Sequence, residues 1–456
     1  MNEAQLEIEE RLERMKELLN AENMPDFRDE FLALHSYEQG QVYLGLTKEE
    51  RQKTYHYLSP NELGDMFEVI EEDEESVEEY LREMNPNYAA DMLGAMYADN
   101  AVDILKQLNK HQVKVYLDLM PEENASEIKE LLHYEDETAG SIMTTEFVSI
   151  VANQTVRSAM AILKSKAPEA ETIYYIYVVD SEEVLVGVIS LRDLIINEDD
   201  QLIADLMSEH PVAVKVTDDQ NDVAKTIRDY DFLAVPVVDE VDHLLGIITV
   251  DDIIDVIDDE ATSDYSGLAG VDVEETTENP FIAASKRLPW LITLLFLGMS
   301  TASLISRYEV MVSDASILAV FISLITGTAG NAGTQSLAVA VRKLATQDDS
   351  NTNFGKMIFS EIMTGLVTGL VTGITIFVVV GIWKHNFILG FVIGMAMLCA
   401  ITVANLAGSL IPILMDRLGF DPAVASGPFI TTLSDLTSVL IYFNIAALFM
   451  SYFVGQ

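Results

Sequence analysis

One carboxylate, Asp435, stands in the run Gly427-Pro-Phe-Ile-Thr-Thr-Leu-Ser-Asp435-Leu-Thr-Ser-Val-Leu-Ile-Tyr-Phe, and it is the only charged side chain from Pro422 to Gln456. A carboxylate at bilayer depth costs roughly 2.5–3.5 kcal/mol on insertion scales, so it normally faces a partner or water. No Lys or Arg in its own segment can pair with it. Cation binding is the chemistry that fits. A hard ion such as Mg²⁺ takes oxygen ligands and gives up water reluctantly, so Asp435 is expected to hold it through retained waters. The competing reading is a protonated or hydrogen-bonded structural aspartate.

A second stretch, Gly327-Thr-Ala-Gly330-Asn331-Ala-Gly333-Thr-Gln335-Ser336, places three glycines among polar side chains in an otherwise apolar segment. Such a composition weakens a membrane helix and brings polar groups toward a cavity. Gly327, Asn331 and Gln335 are therefore read as lining a polar path, together with Pro428 at the broken start of the last segment. Helix packing is the alternative. A third stretch is acidic: Asp251-Asp252-Ile-Ile-Asp255-Val-Ile-Asp-Asp-Glu260-Ala-Thr-Ser263-Asp264. On a helix, Asp251/Asp255, Asp255/Asp259 and Glu260/Asp264 are like-charged i,i+4 pairs, each costing about 0.2–0.5 kcal/mol. Divalent cations would relieve that repulsion, and their absence would push the parts apart. An ordinary acidic linker is the plainer reading.

The elements that position these groups divide the chain in two. Of the net charge of −47, the first 286 residues carry −46 and the remaining 170 carry −1. The polyanionic half excludes nucleic acid as a partner, because phosphate neutralisation needs Lys and Arg. The single cysteine, Cys399, excludes disulfide frameworks and thiolate metal clusters. The histidines show no HExxH spacing, and no GxxxxGK[ST] motif supports ATP-driven pumping.

Five back-half segments, near 288–307, 315–341, 358–383, 387–414 and 424–453, are long enough to cross a hydrocarbon core, which needs about 20 residues. The start of the chain is charged and amphipathic with no signal-peptide core, so the N-terminus is expected in the cytoplasm. On that orientation six Lys or Arg flank the inner ends and two the outer ends, and an odd number of crossings puts the C-terminus outside. The lipid bilayer of a cell (inner) membrane is the expected setting. The third segment carries Gly365, Gly369 and Gly373 at small-xxx-small spacing, read as helix packing.

The front half contains a repeat. One copy ends Gly187-Val-Ile-Ser190-Leu-Arg-Asp193 and the other Gly246-Ile-Ile-Thr249-Val-Asp-Asp252. Each copy reads as strand, helix, strand, strand, helix, with strands near 173–179 and 234–238 and helices near 156–165 and 220–230. The two copies resemble a pair of CBS domains. In that family the closing Ser/Thr and Asp often hold an adenine nucleotide, so the resemblance implies ATP or a relative at Ser190/Asp193 and Thr249/Asp252. The same residues cap the following helix, the competing reading. Residues 1–135 read as short amphipathic helices in a small superstructure.

Taken together, these parts resemble the MgtE family of magnesium channels. The stretches Gly327-Thr-Ala-Gly-Asn-Ala-Gly-Thr-Gln335 and Ala425-Ser-Gly-Pro-Phe-Ile-Thr-Thr-Leu-Ser-Asp435 read like its signature segments. The resemblance implies a multidomain membrane protein that is not an enzyme. Its expected parts are an N-terminal α-helical superhelical domain (1–135), an α/β tandem CBS pair (136–198 and 199–258), an acidic connecting helix (251–280) and a five-helix transmembrane domain (281–456). It also implies a homodimer with the ion path on its two-fold axis, closed when cytoplasmic Mg²⁺ binds among the acids. Position by position, Asp91 falls at the helical-domain acid that meets the CBS pair. Asp231, Asp252 and Asp255 fall at CBS-side ligands, Glu260 and Asp264 on the connecting helix, and Asp421 at its membrane partner. Two positions depart: Asn87 stands in place of an acid one turn before Asp91, and Ser263 in place of a Glu beside Asp264. Fewer charged ligands imply gating of different strength. A proton- or sodium-coupled transporter and a non-conducting CBS-based membrane sensor are the alternatives.

Overall fold

Polar residues followed three places later by Glu or Gln recur at the front of the chain, and in the computed structural model they start helices. The described residues are 3–67, 70, 74–271, 279–346, 354–418 and 427–453. They fall into two compact units, Met1–Ile257 and Asp258–Gln456. The first unit opens with α1 (Glu3–Asn20), α2 (Met24–Phe31), α3 (Ser36–Leu44), α4 (Lys48–Tyr57) and α5 (Pro60–Phe67), then α6 (Glu74–Glu83), α7 (Pro86–Leu93), α8 (Ala98–Lys106), α9 (Lys110–Leu119) and α10 (Glu122–Leu131). Thr47 and Glu50 form a capping box before α4, with the Thr47 N–H donating to Glu50 at 2.8 Å. Ser59 and Glu62 do the same before α5, and Asn109 with Gln112 before α9. Helices this short are marginal alone, and they are held by burying Phe27, Phe31, Tyr43, Leu63, Met66, Phe67 and Met92 in one core. A buried Arg51–Glu83 pair at 2.8 Å crosses that core, and Arg51 also donates to the Leu46 carbonyl, so both charges are satisfied.

The repeat appears as two sheets. In the first, β1 (Ser149–Val151) pairs in parallel with β2 (Tyr175–Val179), which pairs antiparallel with β3 (Leu185–Ser190) and through it with β4 (Ser208–Glu209). In the second, β5 (Val214–Lys215) lies parallel to β6 (Ala234–Val238), which is antiparallel to β7 (Leu244–Thr249). The copies share a register: Tyr175 faces Ser190 as Ala234 faces Thr249, and both hairpins shift after the pair closing on Gly187 or Gly246. Those glycines admit the neighbouring chain. A β-carbon at Gly187 would come 2.5 Å from Met207 Sδ, and one at Gly246 would come 2.6 Å from the Thr144 carbonyl oxygen. The helices α11 (Val156–Lys166), α12 (Leu191–Ile196) and α13 (Gln220–Tyr230) complete the two α/β copies.

The acidic stretch folds as α14 (Val250–Ala269), so its like-charged pairs do lie one helical turn apart. It stops at Gly270, whose φ of +67° favours glycine and where a β-carbon would run into the Trp290 indole. The second unit continues with α15 (Pro280–Arg307), α16 (Glu309–Asp314), α17 (Ile322–Thr346), α18 (Phe354–Trp383), α19 (Phe387–Arg417) and α20 (Gly427–Leu448). Among the described residues five spans, at α15, α17 with its leading turn, α18, α19 and α20, are long and apolar enough to cross a membrane. The α15 helix starts eight residues before the apolar stretch near 288, because Asn279 caps the Phe281 N–H at 3.0 Å and Pro280 takes the first helical position. Gly365, Gly369 and Gly373 pack α18 on α19: β-carbons there would lie 2.9 Å from Thr402 Cα, 2.7 Å from the Leu398 oxygen and 2.6 Å from the Gly394 oxygen.

Candidate metal centre

The second sheet ends at Thr249, and the first turn of α14 follows. Thr249 Oγ1 donates to Asp252 at 2.5 Å and its N–H donates to the same carboxylate at 3.3 Å, so the pair caps the helix and fixes the Asp252 rotamer. From the helical region, α8 presents Asp99 in its first turn. Its N-terminus is docked on the first CBS-like copy, where Glu146 accepts from the Ala98 N–H at 3.1 Å. Glu171, in the loop before β2, supplies the third group. One carboxylate oxygen from each of Asp99, Glu171 and Asp252 lies within 4.8 Å of the other two.

Three acids this close and this sheltered oppose their own ionisation. Burial, reinforced by Glu171 and Asp252, holds the Asp99 carboxyl well above the usual range. Burial with Asp252 nearby raises Glu171 to about 7. Burial raises Asp252 to about 6 and, one turn along α8 from Asp99, Asp103 to about 6. The nearby Thr144 and Thr249 hydroxyls are shared between carboxylates, and both also act to lower the Glu171 carboxyl against its burial. Thr144 donates to Glu146 at 2.7 Å and Thr249 to Asp252, while buried Glu171 Oε2 has no hydrogen-bond partner among the described residues. An all-oxygen, multiply anionic donor set with an orphaned oxygen suits a hard divalent cation such as Mg²⁺ or Ca²⁺. Asp99, Glu171 and Asp252 are the groups that would hold it.

The acids named from the sequence scatter more widely. Asp252 lies in the cluster. Asp91 is exposed on α7, with Asn87 a turn before it, also exposed, and the α8 residue Asp99 is the acid brought to Asp252. Asp231 is the exposed left-handed cap of α13, its φ of 55° set by the chain reversal there. Asp255 and Ser263 are exposed on α14, with Glu260 and Asp264 half-buried. Asp421 lies outside the described residues. Ser190 donates to Asp193 at 2.6 Å and accepts its N–H at 3.1 Å, so both copies share the hydroxyl-to-aspartate bond, while in the second the backbone N–H of the hydroxyl residue also donates to the carboxylate. Neither Asp99 nor Glu171 was marked by motif or periodicity. A first-turn acid is ordinary at a helix N-terminus, and Glu171 belongs to a loop.

In the second unit the glycine-rich stretch of α17 splits into two faces. Gly330 and Gly333 take the packed side: β-carbons there would meet Thr431 Cγ2 at 3.0 Å, and Ile430 Cγ2 and Ser434 Oγ both at 3.0 Å. Gly327, Asn331 and Gln335, spaced by four, lie on an exposed face, and nothing stands within 4 Å of a β-carbon at Gly327. The contact of Gly330 with Thr431 and the hydrogen bond from Tyr442 Oη to the Leu318 oxygen at 2.9 Å make α17 and α20 antiparallel. Asp435 therefore lies near the turn of α17 that carries Gly327. Half-buried Pro428, Thr432 and Asp435 share a face of α20. Thr432 donates to the Pro428 oxygen at 2.8 Å. No hydrogen bond or ion pair from the described residues reaches the Asp435 carboxylate. At the other end of these helices, Leu268 from the last turn of α14 packs with Leu337, Val341 and Ile430, and a β-carbon at Gly427 would come 2.9 Å from its carbonyl oxygen.

Comparison with known proteins gives matches along most of the chain. Residues 322–445 match the model of the MgtE divalent cation transporter family, 34–137 that of the MgtE intracellular N domain, and 139–198 and 203–259 that of the CBS domain. The magnesium transporter MgtE of Enterococcus faecalis is 74% identical over 454 residues, covering 100% of both chains. A crystal structure described as the soluble part of a magnesium transporter aligns at 67% identity with a TM-score of 0.55, over 56% of this chain and 99% of that one. A second, of the cytosolic domain of the Mg²⁺ channel MgtE in complex with ATP, aligns at 33% identity with a TM-score of 0.50, over 53% of this chain and 98% of that one.

Proposed function

Since the chain belongs to the MgtE family of divalent cation transporters, we propose that it carries Mg²⁺ into the cell through a path lined by α17 and α20. The same ion, bound among the cytoplasmic acids, restrains that path. The observation that carries this reading is the open face of Gly327, Asn331 and Gln335 beside an Asp435 that nothing among the described residues neutralises. A bare membrane anchor needs neither feature, which weighs against a non-conducting sensor. Asp435 attracts the cation and accepts hydrogen bonds from its retained waters, while Asn331 and Gln335 offer neutral oxygens that replace part of the hydration shell. One carboxylate leaves a divalent ion half-neutralised. A second copy of the chain related by a two-fold axis would bring the other, and so the protein works as a homodimer in the cell membrane with its N-terminal half in the cytoplasm.

The regulatory part rests on Asp252 and Leu268 belonging to one helix. A cation held by Asp99, Glu171 and Asp252 cancels the repulsion between α8 and the first turn of α14, and the last turn of α14 packs at the ends of α17, α19 and α20. Asp91, Asp231, Asp255, Glu260, Asp264 and Asp421 form the wider set of acids that tune this response. Movement down the ion's own gradient is favoured over proton or sodium coupling, since the path described needs no second ion. The ATP-bound relative supports a nucleotide at the CBS pair through Ser190/Asp193 or Thr249/Asp252.

The test is Mg²⁺ uptake in a bacterial strain lacking its own importers. Asp435→Ala is expected to abolish uptake and growth rescue with the protein still in the membrane, and rescue equal to that of the unsubstituted chain would overturn the path assignment.

A further inference from the structure

Glu361 stands out as a charged residue that the proposed path does not use. It lies on α18 at 9% exposure, between helices that close packing alone could have joined. Its Oε1 lies 3.4 Å from Lys343 Nζ of α17. Its Oε2 accepts from Ser336 Oγ of α17 at 3.3 Å and from Asn405 Nδ2 of α19 at 3.3 Å. Ser336 Oγ also lies 2.8 Å from the Asn405 carbonyl oxygen, which accepts from Ser409 Oγ at 3.2 Å. All five residues belong to the second unit, and the network joins three helices at one carboxylate.

Close packing sets distance but not rotation. The α17 backbone meets α19 where the Gly333 carbonyl lies against Gly408, with no room for a β-carbon. Two glycines in contact present no side chain that would resist α17 turning about its own axis. Hydrogen bonds to a buried carboxylate are directional, and breaking them strands a charge in an apolar surrounding. Ser336 is offset from Gln335 by about 100° of helix, so the network holds one side of α17 while Gln335, Asn331 and Gly327 take the open side.

We propose that Glu361, through Ser336 and Lys343, is the positioning residue that sets the rotation of α17 and so aims Asn331 and Gln335 into the ion path. The inference rests on the reading that this open face lines the path, and it assigns Glu361 no contact with the ion.

The test uses the full chain with Cys399, its only cysteine, replaced by Ser. Uptake of Mg²⁺ is measured in that background for E361A and E361Q. Single cysteines at Gln335 and Ala338, both exposed, are then labelled in membranes with a water-soluble maleimide. E361A is expected to lower uptake about tenfold with the protein present at the normal level, and to change the ratio of labelling at the two sites. E361Q, whose amide oxygen can still accept from Ser336 and Asn405 but whose NH2 cannot accept from Lys343, is expected to recover part of the uptake and part of the ratio, giving values between those of E361A and the unsubstituted residue. Normal uptake in E361A overturns the proposal, as does lost uptake with an unchanged ratio. Should E361A fail to reach the membrane, K343M with the same labelling replaces it, and there an unchanged ratio overturns the proposal. D435A serves as the control: it should abolish uptake and leave the ratio alone. Uptake retained in D435A refutes the path reading, while the labelling ratio still decides the role of Glu361.

Discussion

Glu171 faces Asp99 and Asp252 with one oxygen that has no donor among the described residues, so the cluster is held together against its own charge. Replacing that carboxylate by a neutral amide, Glu171→Gln, should let α8 and α14 stay together without metal and should weaken divalent-cation binding about tenfold. Calorimetric titration with Mg²⁺, together with protease protection in chelator, checks both effects. Unchanged cation affinity would remove Glu171 from the ligand set. The same groups predict a pH dependence. Their carboxyls are raised in the docked arrangement, to about 7 for Glu171 and about 6 for Asp252 and Asp103. Docking without metal is therefore favoured by protonation at low pH and is lost as the pH rises through about 6 to 7. Proteolysis across that range in chelator should show the transition, and saturating Mg²⁺ should flatten it; a flat profile in chelator would contradict the assignment. Asp252 stands out in the sequence as the close of a repeated Gly-x-x-Thr-x-x-Asp pattern, which points to a nucleotide or a cap, and its expected place among cation ligands comes only from the resemblance to the MgtE family. Asp99 and Glu171 do not stand out, because their proximity is made by the docking of α8 on the CBS-like copy, which no local spacing records.

At the scale of elements, the glycines of α17 fall in two environments that the sequence shows as one run. Gly333 and Gly408 touch backbone to backbone, so Gly408→Ala should destabilise the membrane unit by about 1–3 kcal/mol through overpacking. Thermal unfolding in detergent checks this. Gly327→Ala meets open space and should leave the melting temperature unchanged while lowering Mg²⁺ uptake, because its methyl group would project from the face of Asn331 and Gln335. A fall in melting temperature without loss of uptake would place Gly327 in the packing instead. The period of 3.6 told which residues share a face but not which face another helix covers. The same limit applies to α15, whose cap at Asn279 and Pro280 lengthens it beyond its apolar stretch. Fold class was legible because the two halves differ so strongly in composition and because the repeat carries its own strand and helix periods.

For the whole molecule, the division of charge sets the terms. With −46 on the first 286 residues, the acids of that half repel across distances that salt screens beyond about 8 Å at physiological ionic strength. Raising NaCl from low to moderate concentration should therefore weaken the dependence of protease protection on Mg²⁺. An identical Mg²⁺ midpoint at both salt levels would show that only short-range ligation matters. On the proposed reading, the contact of Leu268 with Gly427 is where the last turn of α14 meets α20. Gly427→Ala should displace that last turn of α14 and leave uptake less inhibited by internal Mg²⁺, as read by patch recording at varied internal concentration. The cluster of Asp99, Glu171 and Asp252 has one more consequence. If the cluster holds the ion proposed for it, the last step of folding is left to a solute. On that reading, the finished architecture of the first unit is a property of the chain and its medium jointly. A preparation passed through chelator and one kept in magnesium would be two differently completed objects with one amino-acid sequence.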